Sequence, residues 1–209
     1  MTVAFRLNDD LPPPPPGEGE GKGKGKAKAK VEAKGEAKGE AKGEARKLKR
    51  LLESGAPEDQ HRALARLVSL AAEEVLTECL ASPNPLAVRL ASGGLWECWL
   101  NEQGPAARRE MDQGIRQMEN GDLEGALEIF GGLTRQHPGW AEAYNKQATV
   151  FYLLGNARLS FKLCQTVVDL KPNHFGAWNG MALCAAQLEK WQAALDAARE
   201  ALKIGRAHV

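Results

Sequence analysis

Apolar residues are distributed in two regimes along this chain. Residues 1–50 hold almost no large ones beyond Val3, Phe5, Leu7, Leu11, Val31 and Leu48. From residue 58 onward they return at helical spacing. Leu64, Leu67, Val68, Ala71, Val75 and Cys79 predict one helix running to Ala81. Pro83-Asn84-Pro85 breaks and restarts the chain, with Asn84 as N-cap and Pro85 in the first helical position. Leu86, Leu90, Trp96, Trp99 and Leu100 define the next helix, which stops at Gly104-Pro105. Gly93-Gly94 inside it mark a bend or a close helix crossing. After Ala106 helices are expected near 106–119, 122–136, 140–153, 157–170, 174–187 and 190–203. Asn120-Gly121-Asp122 and Gly155-Asn156 supply turns inside pairs, and Pro138 and Pro172 separate the pairs.

The second half matches itself at an offset of 34 residues. Pro138-Gly139-Trp140-Ala141-Glu142-Ala143-Tyr144-Asn145 returns as Pro172-Asn173-His174-Phe175-Gly176-Ala177-Trp178-Asn179. A period of this size predicts stacked helix pairs, each burying its apolar face only against its neighbours. It favours a partner-binding surface over an active site.

These residues resemble the tetratricopeptide repeat family. Tyr144, Ala148, Phe151, Ser160, Cys164 and Pro172 occupy the family's aromatic, small and proline places in the middle repeat. Glu110, Gly114, Gln117, Ala126, Phe130 and Pro138 take them in the first, and Trp178, Ala182, Ala185, Ala194 and Ala198 in the third. There Arg206 replaces the closing proline. Trp96-Glu97-Cys98-Trp99, ahead of the repeats, is similar to a tryptophan-bearing helix of small repeat proteins of bacterial type. The expected fold is an all-α right-handed superhelix of about three antiparallel helix pairs, preceded by a helical pair and a disordered N-terminal tail. The expected segments are a tail over 1–55, a helical pair over 56–104, repeats over 107–140, 141–174 and 175–204, and a C-terminal tail over 205–209. The third repeat has no solvating helix after it. Its second helix is then exposed to a partner, or the chain is a truncated product.

The resemblance implies that the first helix of each pair lines a concave groove. Its lining is then Arg108, Met111, Ile115 and Met118, followed by Glu142, Asn145, Thr149 and Tyr152, and by Asn179, Leu183 and Gln187. Asn145 and Asn179 stand one period apart, and two amides in a row can grip an extended peptide backbone. Solvated helix surface is the competing reading. Met111 and Met118 suit either an adaptable apolar contact or core packing. Trp96, Trp99, Trp140 and Trp178 are assigned to inter-helix packing. Trp191 opens the last helix of the array and is the candidate exposed hot spot. The carboxylate clamp of chaperone-tail binders is absent: its places hold Met111, Ile115, Lys146, Gly176 and Gly180.

Composition narrows the function. The net charge of +1 hides a basic segment of net +6 over 17–50. Pro12 to Pro16 reads as a polyproline spacer. The Glu-Ala-Lys-Gly repeats over 32–43 place a glycine at every fourth residue and stack like charges at i,i+4, which opposes a helix. Cys79, Cys98, Cys164 and Cys184 form no CxxC pair and read as buried free thiols of an intracellular, cytoplasmic protein, an organelle being the other compartment in question. No metal or cofactor is expected, no catalytic motif is present, and no apolar run reaches membrane-spanning length. The expected function is a non-enzymatic adaptor or scaffold that binds another protein through the groove or the C-terminal face. The alternative is a nucleic-acid-associated protein that uses the Lys-rich tail, with the repeats for docking or dimerisation.

Overall fold

The computed structural model describes residues 43–205, which are helical apart from their turns. The helices are α1 (43–54), α2 (Pro57–Ser69), α3 (Glu73–Cys79), α4 (Pro85–Asn101), α5 (Gly104–Glu119), α6 (Leu123–Gln136), α7 (Ala141–Leu153), α8 (Ala157–Leu170), α9 (Phe175–Gln187) and α10 (Trp191–Ile204). The proline run, most of the low-complexity tail and residues 206–209 lie outside the described residues.

Two expectations are corrected. The tail assigned to 1–55 gives way to α1 by residue 43. The every-fourth glycine ends at Gly43, and none follows until Gly55. Ala45, Leu48 and Leu52 then share one helix face, and Ala45 and Leu52 are buried in the core of α1–α4. Arg66 grips Glu44 through two hydrogen bonds of 2.7 and 3.2 Å, and Lys49 reaches Glu78 at 2.8 Å. The single helix expected up to Ala81 is two, α2 and α3. Ala71 adopts φ 47°, the amide of Ala72 donates to the Leu67 carbonyl at 3.0 Å, and that of Ala71 donates to Val68 at 2.9 Å. This paired bonding closes α2 and lets α3 turn Leu76 and Cys79 into the core.

The rest follows the pattern. Asn84 caps α4, accepting from the amides of Leu86 and Ala87. Gly93-Gly94 cause no break: α4 is continuous, and a Cβ on Gly94 would stand 2.6 Å from Leu64 Cδ1. Gly94 marks a close crossing of α4 over α2, while Gly93 faces open space. The pairs α5–α6, α7–α8 and α9–α10 form the array, cored by one cluster around Met111, Phe130 and Trp140 and another around Ala148, Val167 and Met181.

The turns within the three pairs share one geometry. Gly121, Gly155 and Glu189 stand one period apart, with φ of 84°, 76° and 56°. Each is followed by an amide that bonds back across the helix end: Asp122 to Gln117, Asn156 to Phe151 and Lys190 to Ala185. A side chain in this left-handed region costs about 1–2 kcal/mol, and the third turn alone carries one. Glu189→Gly should therefore raise unfolding free energy by about 1 kcal/mol in a urea titration.

Candidate functional site

Part of the expected groove is met by α4. Trp99, near the end of α4, is fully buried. Its carbonyl is one of the last four of the helix, which have no intrahelical donor. The indole N–H of Trp140 donates to that carbonyl at 2.7 Å. The Trp99 indole N–H donates in turn to Glu73 Oε2 at 2.9 Å. Its ring stacks on His174, with centroids 4.1 Å apart and planes 22° from parallel.

His174 links this contact to α7. Its Nδ1 accepts from the Ala177 amide at 3.1 Å and so caps α9. Nε2 therefore carries the proton and donates to Glu142 Oε2 at 2.9 Å. Both side chains are fully inaccessible to solvent. Lys146 Nζ pairs with Glu142 Oε1 at 3.2 Å and lies 5.3 Å from the centre of the Trp96 ring. Lys171 Nζ bonds Glu73 at 3.0 Å and Glu102 at 3.1 Å, joining the end of α8 to α3 and to the end of α4. Gly176 makes room for Trp96: a Cβ there would stand 2.6 Å from Cη2.

The expected groove residues divide accordingly. Arg108 is ion-paired to Glu97 of α4 at 3.0 Å and to Asp112 at 2.8 Å. Met111 is wholly buried in the α5–α6 core, which settles its role as packing, and Ile115 and Met118 pack on that core half-buried. Glu142 and Asn145 are buried, contrary to their expected place on an accessible surface. Asn145 Nδ2 lies 3.3 Å from Glu142 Oε2, so its amide serves the buried carboxylate. Thr149 is exposed, with its hydroxyl on the Asn145 carbonyl, and Tyr152 and Asn179 are half-buried. Leu183 and Gln187 are exposed. The two asparagines thus form no accessible row. The chain's own α4 helix covers the inner face where Trp96 meets Gly176 and Lys146, while Thr149, Leu183 and Gln187 stay exposed.

His174, Glu73 and Lys171 were missed as key residues. The signal for His174 lay in a departure from the repeat. His174 occupies the place of Trp140 one period earlier, and both touch Trp99. Gly176 occupies the place of Glu142, and its missing side chain leaves room for Trp96 of α4.

Apolar side chains are exposed on α7 and α9 at Leu153 and Leu183, and again at the end of the array on α10. Trp191 is 67% exposed, Leu195 47% and Leu202 42%. They form one stripe on α10, completed by Ala198. A cavity of about 1590 Å³ adjoins its C-terminal half, between α10 and the start of α4, with Leu80, Val88, Arg89, Arg199, Leu202 and Lys203 on its walls. Trp96, Trp99, Trp140 and Trp178 are all at least half-buried, so Trp191 stands apart from them.

Among the described residues, no three His, Cys, Asp or Glu side chains converge as metal ligands. All four cysteines are buried and unpaired. Burial pushes the thiols of Cys79 and Cys164 up to about 12 and that of Cys98 to about 11, the reverse of what a nucleophile requires. No helix among the described residues is long and apolar enough to cross a membrane.

Three helix pairs at a 34-residue period, with shared turns and small residues at the helix contacts, define an all-α array of stacked helix pairs. The chain is similar to a TPR repeat-containing protein of Rhizobium etli, at 30% identity over 92 residues. The match covers 41% of this chain and 44% of that protein, so the chain spans less than half of the relative's length. No protein-family profile matches. Similar solved structures include MamA from Desulfovibrio magneticus, at 16% identity and a TM-score of 0.46, covering 80% of this chain and 96% of MamA. They also include the TPR2AB domain of yeast Sti1 in its pHSP90 complex, at 16% identity and a TM-score of 0.47, covering 77% and 61%.

Two outcomes check this geometry. His174→Ala removes a donor to a buried carboxylate and a ring from the core, and should cost about 3 kcal/mol in urea unfolding. Asn179→Ala, at a half-buried position, should stay within about 0.5 kcal/mol. The raised thiol pKa values give a second check. The folded state holds the thiol protons more tightly than the unfolded chain, so this contribution is complete below the ordinary cysteine range and is lost as pH climbs through it. Thermal midpoints should fall above pH of about 9, and a Cys79→Ser/Cys164→Ser variant should show a smaller fall.

Proposed function

We propose that this chain is a non-enzymatic interaction protein whose partner docks on the C-terminal face of the array, along α10. The supporting observation is a comparison of equivalent positions. Leu202 stands where Val168 and Thr134 stand one and two periods earlier, and both of those are buried. Trp191 stands where Ala157 stands in α8, and Ala157 is also buried. Val168 shares a cluster with Ala177 and Met181 of the following pair. The same face of α10 is bare. A contiguous apolar stripe with a large aromatic at one end has the make-up of a protein-binding hot spot.

The inner face is the weaker candidate, because α4 already fills the part where Glu142 and Asn145 lie. A peptide entering there would have to displace Trp96 and Trp99 together with their buried hydrogen bonds.

The test is affinity capture with the full chain from its own cell extract, comparing variants. Trp191→Ala/Leu195→Ala should lose the captured protein, with a thermal midpoint close to wild type, since both side chains are exposed. Thr149→Ala/Gln187→Ala, on the open end of the inner face, should retain it. The opposite result would move the interface to the inner face.

A further inference from the structure

Resting on the reading of α10 as a docking face, we infer that its occupant is a second copy of this chain, paired antiparallel through α10 about a two-fold axis. Three features of the helix carry this.

The first is the spacing of the stripe. Trp191, Leu195, Ala198 and Leu202 follow the alternating four- and three-residue steps of a helix–helix seam. The order of steps reads the same in both directions. An antiparallel partner therefore sets Trp191 beside the partner's Leu202 and Leu195 beside the partner's Ala198, and both contacts recur on the other side of the axis. A two-fold interface needs this self-complementarity.

The second is a knob and a hole at opposite ends of the stripe. Trp191 projects at the start of α10, 67% exposed. The cavity beside Leu202 lies at its end, floored by Leu80 and Val88. Eleven residues of helix separate Trp191 from Leu202, about 16 Å at 1.5 Å per residue. Antiparallel pairing brings each indole to the partner's cavity, so one axis closes both contacts.

The third is charge. Among the described residues the cavity wall carries Arg89, Arg199 and Lys203, the last two also paired within α10 to Asp196 and Glu200, and no carboxylate lines it. Glu189, just ahead of α10, is the carboxylate at the end that would approach it. Asp196 and Arg199 sit three residues apart on one edge of the stripe, both exposed, and only 3.6 Å apart within the helix. In the antiparallel pair each reaches the other's counterpart. Lys190, the one cation beside Trp191, is turned back over Phe161 of its own array at 6.0 Å.

The experiment is sedimentation velocity of the full chain over a range of concentrations, with circular dichroism to confirm that each variant keeps its helix content. Wild type should form a dimer. Trp191→Ala should weaken self-association at least tenfold. Asp196→Arg and Arg199→Asp should each weaken it, and the double exchange should restore it. A mixture of Leu195→Cys and Ala198→Cys chains should form a disulfide between unlike chains in preference to like ones, the native thiols being buried. Monomeric wild type at every concentration would overturn the pairing, as would open-ended polymers or like-with-like cross-links at Leu195→Cys. If wild type is monomeric and Trp191→Ala still abolishes capture of another protein, self-pairing fails and the docking face stands. If Trp191→Ala changes neither, both fail.

Discussion

The arrangement of the molecule depends on the way Trp99 ties α4 to the repeats. A helix leaves its last carbonyls without donors, and one of these is taken by the indole N–H of Trp140, forty-one residues away. The same residue gives its own N–H to Glu73 and its ring face to His174. One buried side chain thus connects α3, α4, the entry to α7 and the cap of α9. Each polar group around it has a partner, which low-dielectric surroundings demand. Lys171 adds a two-carboxylate ion pair at the edge of the contact.

This contact sets where a partner can reach. In stacked helix pairs the first helices form an extended inner surface suited to a ligand. Here part of that surface is used for folding. Glu142, expected on that inner surface, instead accepts from His174 and pairs with Lys146, which lies over Trp96. The apolar surface left open is displaced to α10, where the stripe from Trp191 to Leu202 lacks the covering that the corresponding residues of α8 receive.

The buried cysteines and the buried carboxylate–imidazole pair illustrate how little a list of reactive residue types conveys. Cys184 lies 3.1 Å from Ser160 Oγ, yet it is a core thiol whose charged form is disfavoured by burial. His174 and Glu142 have the residue types of an acid–base couple, but neither is accessible to a substrate. Their arrangement holds two helices in register.

Local chemistry was enough to determine the repeat period, the approximate helix limits after Ala106, the turns at Gly121 and Gly155 and the cap at Asn84, though α5 starts at Gly104, where a stop was expected. Each depends on residues within a few positions of one another. The start of α1 was hidden because a glycine-rich composition runs into it, and Ala45, Leu48 and Leu52 form only a short face. The break at Ala71 was hidden because alanine favours continuing a helix, and only the packing of α3 on α4 requires the turn. The burial of Asn145 and Glu142 could not be read from periodicity, which puts both on the inner surface of their own helix. Whether that surface meets solvent, a ligand or the chain itself depends on residues 41 positions away in one direction and 32 in the other, where Trp99 meets Trp140 and His174 meets Glu142. Periodicity specifies which side of a helix is apolar; what comes to lie against that side is decided only when distant segments compete to cover it.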